Sequence, residues 1–405
     1  MSRPSADDRC PGAVRLHEAA DGFVARVRIP GGRVSAAQLD TLASLASTAG
    51  DGHLYLTSRG NVQLRGLASG CGQDVADALY AAGLLPSLTH DRVRNVVASP
   101  LSGVDVVADV EDVLAELDAS LLDDEGLVAL SGRFLFGIDA GVGDVVALAP
   151  DVAVALEGAT GAAGAGEWRL VVAGQPTAVT APYDLGADLL IGAAHRFLAL
   201  RDEHATTAWR AAELPAAALA ELAPGRPGPS LAPSNAESPA LPRPHAGAEA
   251  HVTPRYCRWL GAYDRAVVAG VPLGSAPAEA WRAIADLVPA ARADDTSAVR
   301  ITPWRSVVLI DPAPNAEDVL RGHGFLLDDA DPLAQVTACI GKPGCGRALA
   351  DVRADAARLA AAHPGVRLHV SGCDRRCGHP TSSHLSAVAV ADGTDHQTHY
   401  SLEQH

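Results

Sequence analysis

The sequence predicts an α+β fold made of two similar halves. Two observations predict it: alternating apolar and polar runs typical of half-buried strands, and the same order of strand and helix signals on both sides of a proline-rich stretch. Hydrophobic residues make up 48% of the 405 residues and charged residues 20%. This composition supplies a large core and excludes a disordered protein for most of the chain.

The first half begins with a βαββα unit. Residues 22–29 alternate like a strand, Gly31 and Gly32 turn the chain, and Ser35 can cap the next helix. The unit continues with a helix over residues 36–48, strands over 53–57 and 61–65, and a helix over 73–82.

The same order returns after a linker. Residues 222–254 carry many of the 27 prolines and predict a semi-rigid connection. Beyond it, Ser275 is expected to cap a helix with Pro277 in its first turn. The predicted elements are a strand over residues 267–271, a helix over 277–287, strands over 298–302 and 307–310, and a helix over 316–322. Two βαββα units predict a duplicated α+β domain.

Each unit is followed by a second segment, and these two segments agree more loosely. Each has a small-residue loop, a helix (residues 111–119; 348–362) and a strand (133–138; 366–370). The predicted plan is therefore two αβ modules in each half, related by pseudo-twofold symmetry. Its boundaries are residues 10–90, 91–221, 222–254 for the linker, 255–330 and 331–405.

Charge and the chain ends narrow the function classes. Lys and Arg number 32 against 48 Asp and Glu, a net charge of −16, which argues against general nucleic-acid binding. The first residues show no secretory signal, and no apolar run reaches the ~18–20 residues of a membrane span, so we expect a cytoplasmic protein.

Four clustered cysteines predict a metal centre. They form Cys339-x5-Cys345 and Cys373-x3-Cys377, and in a reducing compartment such clusters favour metal ligation over disulfides. We expect a helix and a returning strand to bring the pairs together, with the first pair at a helix N-terminus. Thiolates select zinc or an iron–sulfur cluster, and the wide first spacing favours a cluster. The scattered cysteines are predicted to be ordinary thiols: Cys10, Cys71 and Cys257.

These cysteines resemble the motif of the sulfite and nitrite reductase superfamily, in which they hold a [4Fe-4S] cluster beside a tetrapyrrole. The resemblance covers almost the whole chain. It implies duplicated ferredoxin-like half-domains plus two nitrite/sulfite reductase-like αβ modules, with Cys339, Cys345, Cys373 and Cys377 as cluster ligands. Lys342, the only lysine, and Arg375 and Arg376 are predicted as cations near the cluster.

Further motifs resemble the precorrin-3B synthase family of aerobic cobalamin biosynthesis. They lie at residues 9–12, 56–66, 302–305 and 338–345. The resemblance implies an iron–sulfur monooxygenase that uses O2 and an external NAD(P)H-linked electron donor to hydroxylate precorrin-3A at C20 with γ-lactone formation. Whether a mononuclear non-haem iron also takes part stays open. Its candidate ligands are His379, His384, His396, His399 and His405.

A polycarboxylate macrocycle implies arginine donors around its site. Arg59 and Arg65, six residues apart on adjacent predicted strands, are expected to point to one face, and Arg305 is their counterpart in the second half. Gln63 and Asn95 complete the predicted substrate-binding set. The alternative for any such arginine is a solvated surface position or an ion pair. No catalytic residue is predicted.

Two rival functions stay open. One is a sirohaem-dependent nitrite or sulfite reductase; the other is a non-enzymatic cluster or zinc scaffold. Reductases of the superfamily carry a lysine-rich segment that grips the small anion. The matching stretch here has Arg133 but Leu135 at the second cationic position, which disfavours the reductase.

Overall fold

The computed structural model describes residues 12–104, 107–158, 166–223, 260–380, 383–391 and 399–405. Its fold is α+β, as predicted, and is built around four β-sheets. Cys10, Cys257, His396 and all but the first two residues of the predicted linker lie outside the described residues.

The first unit has the predicted strands and helices in the predicted order, and two short strands that the sequence did not predict. Its strands and helices are β1 (His17–Ala19), β2 (Gly22–Val27), β3 (Arg33–Val34), α1 (Ala36–Ala49), β4 (His53–Leu56), β5 (Val62–Leu67) and α2 (Gly72–Ala81). Ser35 caps α1 as expected: its Oγ accepts from Gln38 N at 3.2 Å, and the Gln38 side chain accepts from Ser35 N at 3.1 Å.

The next segment forms a separate sheet. It comprises β6 (Val96–Ala98), α3 (Glu111–Asp123), β7 (Phe136–Asp139), β8 (Val152–Glu157), β9 (Glu167–Val172), β10 (Gln175–Pro182), α4 (Gly186–Glu203) and α5 (Ala216–Leu222). The sheet order is β10-β9-β8-β7-β6, with β6, β7 and β8 parallel. Phe134, Phe136, Trp168 and Phe197 fill its core.

The second unit repeats the element order of the first. It contains β11 (Gly261–Ala262), β12 (Ala266–Gly270), β13 (Ser275–Pro277), α6 (Ala278–Asp286), β14 (Val299–Ile301), β15 (Ser306–Ile310) and α7 (Ala316–Gly322). The expectation for Ser275 and Pro277 is wrong: Ser275 lies in β13, and Pro277 precedes α6 without a side-chain cap. Ser275 cannot cap because it pairs with Tyr55 of β4.

The two units exchange edge strands. β3 of the first unit pairs with β14 of the second, and β13 of the second pairs with β4 of the first. The resulting sheets have the orders β1-β2-β5-β4-β13 and β11-β12-β15-β14-β3. Leu39 of α1 and Trp281 of α6 belong to one shared core. The chain therefore closes each sheet with a strand from the other half.

The final segment holds the cysteines. It comprises β16 (Val336–Ala338), α8 (Val352–Ala362), β17 (Leu368–Ser371), β18 (Leu385–Val390) and β19 (His399–Gln404). β16, β17 and β18 are parallel neighbours, and β19 closes the sheet antiparallel. None of the helices in the described ranges combines the length and apolarity that membrane crossing requires.

Candidate functional site

The two cysteine pairs leave the same edge of one sheet. Cys339 directly follows β16 and Cys373 comes just after β17, and these parallel strands are paired through Ala338 and Val370. Cys339 N donates to Val370 O at 3.0 Å, and Gly372 N donates to Cys339 Sγ at 3.2 Å. Parallel pairing thus brings together loops that are far apart in sequence.

Close packing fixes the two loops against each other. A Cβ on Gly372 would lie 2.7 Å from Ala348 Cβ, and Leu349 N donates to Gly372 O at 2.7 Å. Gly341, at φ +68°, would place a Cβ 3.0 Å from Val352 N. Neither position has room for a larger residue.

The expected helix N-terminus at the first pair is wrong. The helix was predicted from residue 348 but α8 begins at Val352, so Cys345 lies in the preceding loop. Asp351 caps α8, with Oδ1 accepting from Ala354 N at 3.2 Å. A carboxylate therefore takes the position that the sequence assigned to an anionic cluster.

The donor chemistry fits an iron–sulfur cluster. Cys339, Cys345, Cys373 and Cys377 are all free, the first three half-buried and the last exposed. Burial raises the pKa of the Cys339 thiol; hydrogen bonds from Gly372 and Gly341 oppose this, and Cys377 and Cys345 add to it. A bound metal is what keeps such neighbouring thiols deprotonated.

Two of the three predicted cations are exposed, and the third pairs with β19. Lys342 and Arg375 are exposed and form no ion pair with the described residues. Arg376, at φ +45°, instead donates to Glu403 and contacts His405 Nε2. Arg347 is a further exposed cation of the first loop, which the sequence prediction omitted.

Arg65 connects the first half to the first cysteine loop. Its Nε and Nη2 donate to Asp21 at 3.0 and 2.9 Å, and Nη2 also donates to Gly344 O at 3.0 Å. Arg59 lies in the β4–β5 turn, where its N donates to Thr57 Oγ1 at 3.3 Å. The expectation that Arg59 and Arg65 share one strand face is therefore wrong, because β4 ends at Leu56.

Gln63 and Asn95 contact other parts of the protein. With its amide oxygen towards Arg26, Gln63 accepts from Arg26 Nε and Nη2 at 3.2 and 2.7 Å. Asn95 is fully buried: its Oδ1 accepts from Asn61 Nδ2 and its Nδ2 donates to Phe134 O, both at 2.9 Å. Asn95 thus joins the first sheet to the β6–β10 sheet, and its substrate role stays a prediction.

Arg305 and Arg353 lie between the second cysteine loop and β13. Arg305, at φ +60°, has Nη2 3.4 Å from where a Gly378 Cβ would stand. Arg353 of α8 donates to Leu273 O at 3.2 Å and to Ser275 Oγ, and its guanidinium is 5.5 Å from the Tyr55 ring centroid. Burial, and then the charge of Arg353, lower the pKa of Arg305. The sequence prediction omitted Arg353, since an arginine in a first helical turn carries no signal of its own.

Histidines line the edge next to the second loop. The ring centroid of buried His369 is 6.1 Å from that of His384 and 6.5 Å from that of His379, and His384 stacks on His405 at 5.4 Å. Burial and then Arg305 lower the pKa of His369 to about 3, so it is neutral at physiological pH. In the described part of the chain, no three His, Cys, Asp or Glu side chains are placed to hold one metal ion. His399 begins β19, and His396 lies outside the described residues.

Three comparisons agree with this architecture. The family model described as nitrite/sulfite reductase ferredoxin-like half domain matches residues 15–82. Over 399 residues the chain is 26% identical to a precorrin-3B synthase of Sinorhizobium sp, covering 95% of this chain and 81% of that protein. A ferredoxin–nitrite reductase of Synechococcus elongatus is 39% identical over 85 residues, 20% of this chain and 17% of that protein.

A solved structure shows the same fold. The NirA protein of Mycobacterium tuberculosis superposes with a TM-score of 0.68 at 20% identity, covering 95% of this chain and 74% of that chain. Residues 15–82 therefore match the nitrite/sulfite reductase ferredoxin-like half domain, and the chain resembles a precorrin-3B synthase along nearly its whole length, which confirms the resemblance predicted from the sequence.

Proposed function

We propose that the protein is a precorrin-3B synthase, which hydroxylates precorrin-3A at C20 with γ-lactone formation, using O2 and a [4Fe-4S] cluster. The observation that carries the proposal is the similarity to a precorrin-3B synthase over 95% of the chain. The paired cysteine loops and the neighbouring arginines support it. In this reaction one oxygen atom of O2 enters the product, and the other leaves as water with two electrons from the donor.

Four cysteines would hold the cluster in this proposal: Cys339, Cys345, Cys373 and Cys377. Bound there, it supplies one-electron transfer, which O2 chemistry on an organic substrate requires. Arg305 binds and orients a carboxylate of the macrocycle. His369 stays neutral near Arg305 and therefore adds no charge there.

The proposed electron donor is an external NAD(P)H-linked partner. Cys377 is exposed, and the same loops carry the exposed cations Lys342, Arg347 and Arg375. A donor can thus approach the cluster from the solvent side while the substrate occupies the side of β13. We also propose that the shared element order of the two halves reflects duplication with pseudo-twofold symmetry.

A sirohaem-dependent nitrite or sulfite reductase is the second candidate, favoured by the local match to a ferredoxin–nitrite reductase. Two residues count against it. Leu135 is a buried apolar residue, and the exposed Arg133 stacks on Trp209 at 5.7 Å. That stretch therefore lacks the pair of cations that grips a small anion.

Turnover of precorrin-3A under isotopically labelled O2 tests the proposal. We expect mass spectrometry to show one labelled oxygen atom in the product. The absorption spectrum of the anaerobically purified protein should have a broad shoulder at ~400 nm without sharp bands. Intense sirohaem bands with nitrite or sulfite reduction would establish the reductase instead. A colourless zinc protein would contradict both.

Replacing a proposed ligand gives the matched variant test. Cys373→Ser should lose the cluster absorption and oxygen-dependent turnover, because serine is a poor ligand for cluster iron. Cys71→Ser is the control, since Cys71 packs half-buried against the core shared by the two halves and belongs to neither cysteine pair. Full turnover by Cys373→Ser would exclude the electron-transfer role.

A further inference from the structure

We propose that Arg353 and Arg305 together form a two-point subsite for a carboxylate group. The new element is Arg353, which no sequence motif or comparison assigns. The natural ligand rests on the proposed function, whereas the chemistry of the subsite rests on the geometry of the two side chains.

Both arginines contact one short segment of the second half. Arg353 donates to Leu273 O and Ser275 Oγ, on either side of Gly274. Arg305 Cδ lies 2.5 Å from where a Gly274 Cβ would stand. Gly274, at φ +73°, therefore leaves the space that lets Arg305 approach the segment to which Arg353 donates.

Neither guanidinium has a carboxylate partner within ion-pair distance in the described residues. Two other buried arginines in the described residues each have a carboxylate partner: Arg65 pairs with Asp21 at 2.9 Å, and Arg94 with Asp118 at 2.7 Å. Half-buried, uncompensated cations are costly unless an anion neutralises them. The site therefore calls for a negatively charged ligand.

Electrostatics between the two arginines support this conclusion. Burial lowers the pKa of Arg353, although Tyr55 and Asp351 partly oppose the effect, and Arg353 in turn lowers the pKa of Arg305. An anion between them would relieve this repulsion. A carboxylate suits the pair because its two oxygens match the planar donor fork of a guanidinium.

Binding of uroporphyrin, a stable polycarboxylated porphyrin, to the full chain with its cluster reconstituted tests the subsite. We expect Arg353→Gln and Arg305→Gln each to raise the dissociation constant about tenfold, the order expected for one charge-assisted contact. Arg353→Lys should recover part of the affinity because it keeps the charge. Arg358→Gln is the control: Arg358 lies on the same helix, exposed and paired with Asp355 at 2.9 Å.

Two further arms identify the anion. The methyl ester of uroporphyrin should bind wild type and Arg353→Gln equally, since it has no carboxylate to lose. Excess succinate should weaken uroporphyrin binding to wild type if free carboxylates also fill the subsite; no competition would restrict the site to carboxylates borne by a macrocycle.

The result that overturns the proposal is equal binding of the acid by wild type, Arg353→Gln and Arg305→Gln. An equal loss of the acid and the ester in Arg353→Gln would assign Arg353 a purely structural role and overturn it as well. The porphyrin assay needs no turnover. Failure of precorrin-3A oxidation with intact arginine-dependent binding would therefore count against the proposed function alone.

Discussion

At the scale of single residues, the polar side chains of the predicted site differ in whether the protein itself supplies their ion-pair or hydrogen-bond partners. Arg65 has Asp21, Asn95 has Asn61 and Phe134, and Arg305 has no carboxylate in the described residues. A satisfied side chain holds the fold, whereas an unneutralised one remains available to a ligand. A carboxylate partner therefore distinguishes Arg65 from Arg305, although both are arginines.

Asn95→Ala should destabilise the protein. It would leave Asn61 Nδ2 and Phe134 O without their buried partner, which costs about 1–3 kcal/mol. Urea unfolding followed by circular dichroism measures the change. Gln73→Ala is the control, because within the described ranges the exposed Gln73 side chain bonds only to Asp77 of the same helix. A shift below about 0.5 kcal/mol is expected there. Equal small shifts would contradict the structural role of Asn95.

Asp329 predicts a pH dependence of stability. Burial raises its pKa from 3.8 to about 6, with a further increase from Asp328 and an opposing hydrogen bond from Leu260 N. The folded state therefore holds the proton more tightly than the unfolded state. The contribution of Asp329 to stability is thus full below pH 3.8 and is lost as pH rises through about 6. Asp329→Asn should lack this fall when free energies of unfolding are compared across that window. Parallel stability profiles of the wild type and Asp329→Asn over this pH range would rule out Asp329 as the source of the fall.

At the scale of elements, local signals predicted most of the two βαββα units. The Ser35 capping box and the alternation in β2 were sufficient for α1 and its neighbours. β13 was missed because it is a three-residue strand that exists only through its pairing with β4. Ser275 and Pro277 look like a helix start when that partner is invisible.

The contrast between local signals and long-range contacts also explains which parts of the site could be predicted from the sequence. Cysteine spacing singled out the four thiols as candidate ligands, since ligand spacing is a local property. The start of α8 at Val352, the Asp21 partner of Arg65 and the position of Arg353 depend on tertiary contacts. Long-range pairing has no signature in one sequence.

Gly32→Ala should disrupt the join between the two halves. Gly32, at φ +73°, would place a Cβ 1.9 Å from Ile301 O, so the β3–β14 pairing must shift. Gly70→Ala is the matched control, with φ +91° but nothing within 4 Å. Both variants bear the cost of the left-handed backbone, of order 1 kcal/mol. We expect Gly32→Ala to lose clearly more in thermal unfolding; equal losses would show that β3 adjusts freely.

At the scale of the whole molecule, the exchanged strands make the two halves interdependent. β13 and β3 each complete a sheet formed mainly by the other half, and α1 and α6 share one core. Neither half can keep its sheet edge covered alone, and an uncovered edge invites association with other chains.

Cleavage at a protease site inserted within residues 224–259 should therefore leave the two fragments associated. They should co-elute in size-exclusion chromatography at neutral pH and separate only in denaturant, because the β4–β13 and β3–β14 pairs and the shared core remain intact. Insertion without cleavage is the control. Separate elution of folded fragments would show that the halves are autonomous domains.

The strand β13 is part of the second half in sequence, but its hydrogen bonds place it in the first sheet. Its residue Ser275 also accepts a hydrogen bond from Arg353. A ligand held by Arg353 and Arg305 would therefore stabilise neither half in isolation. Its binding would increase the free energy of unfolding of the entire chain. The chain would then unfold in a single thermal transition at a higher temperature.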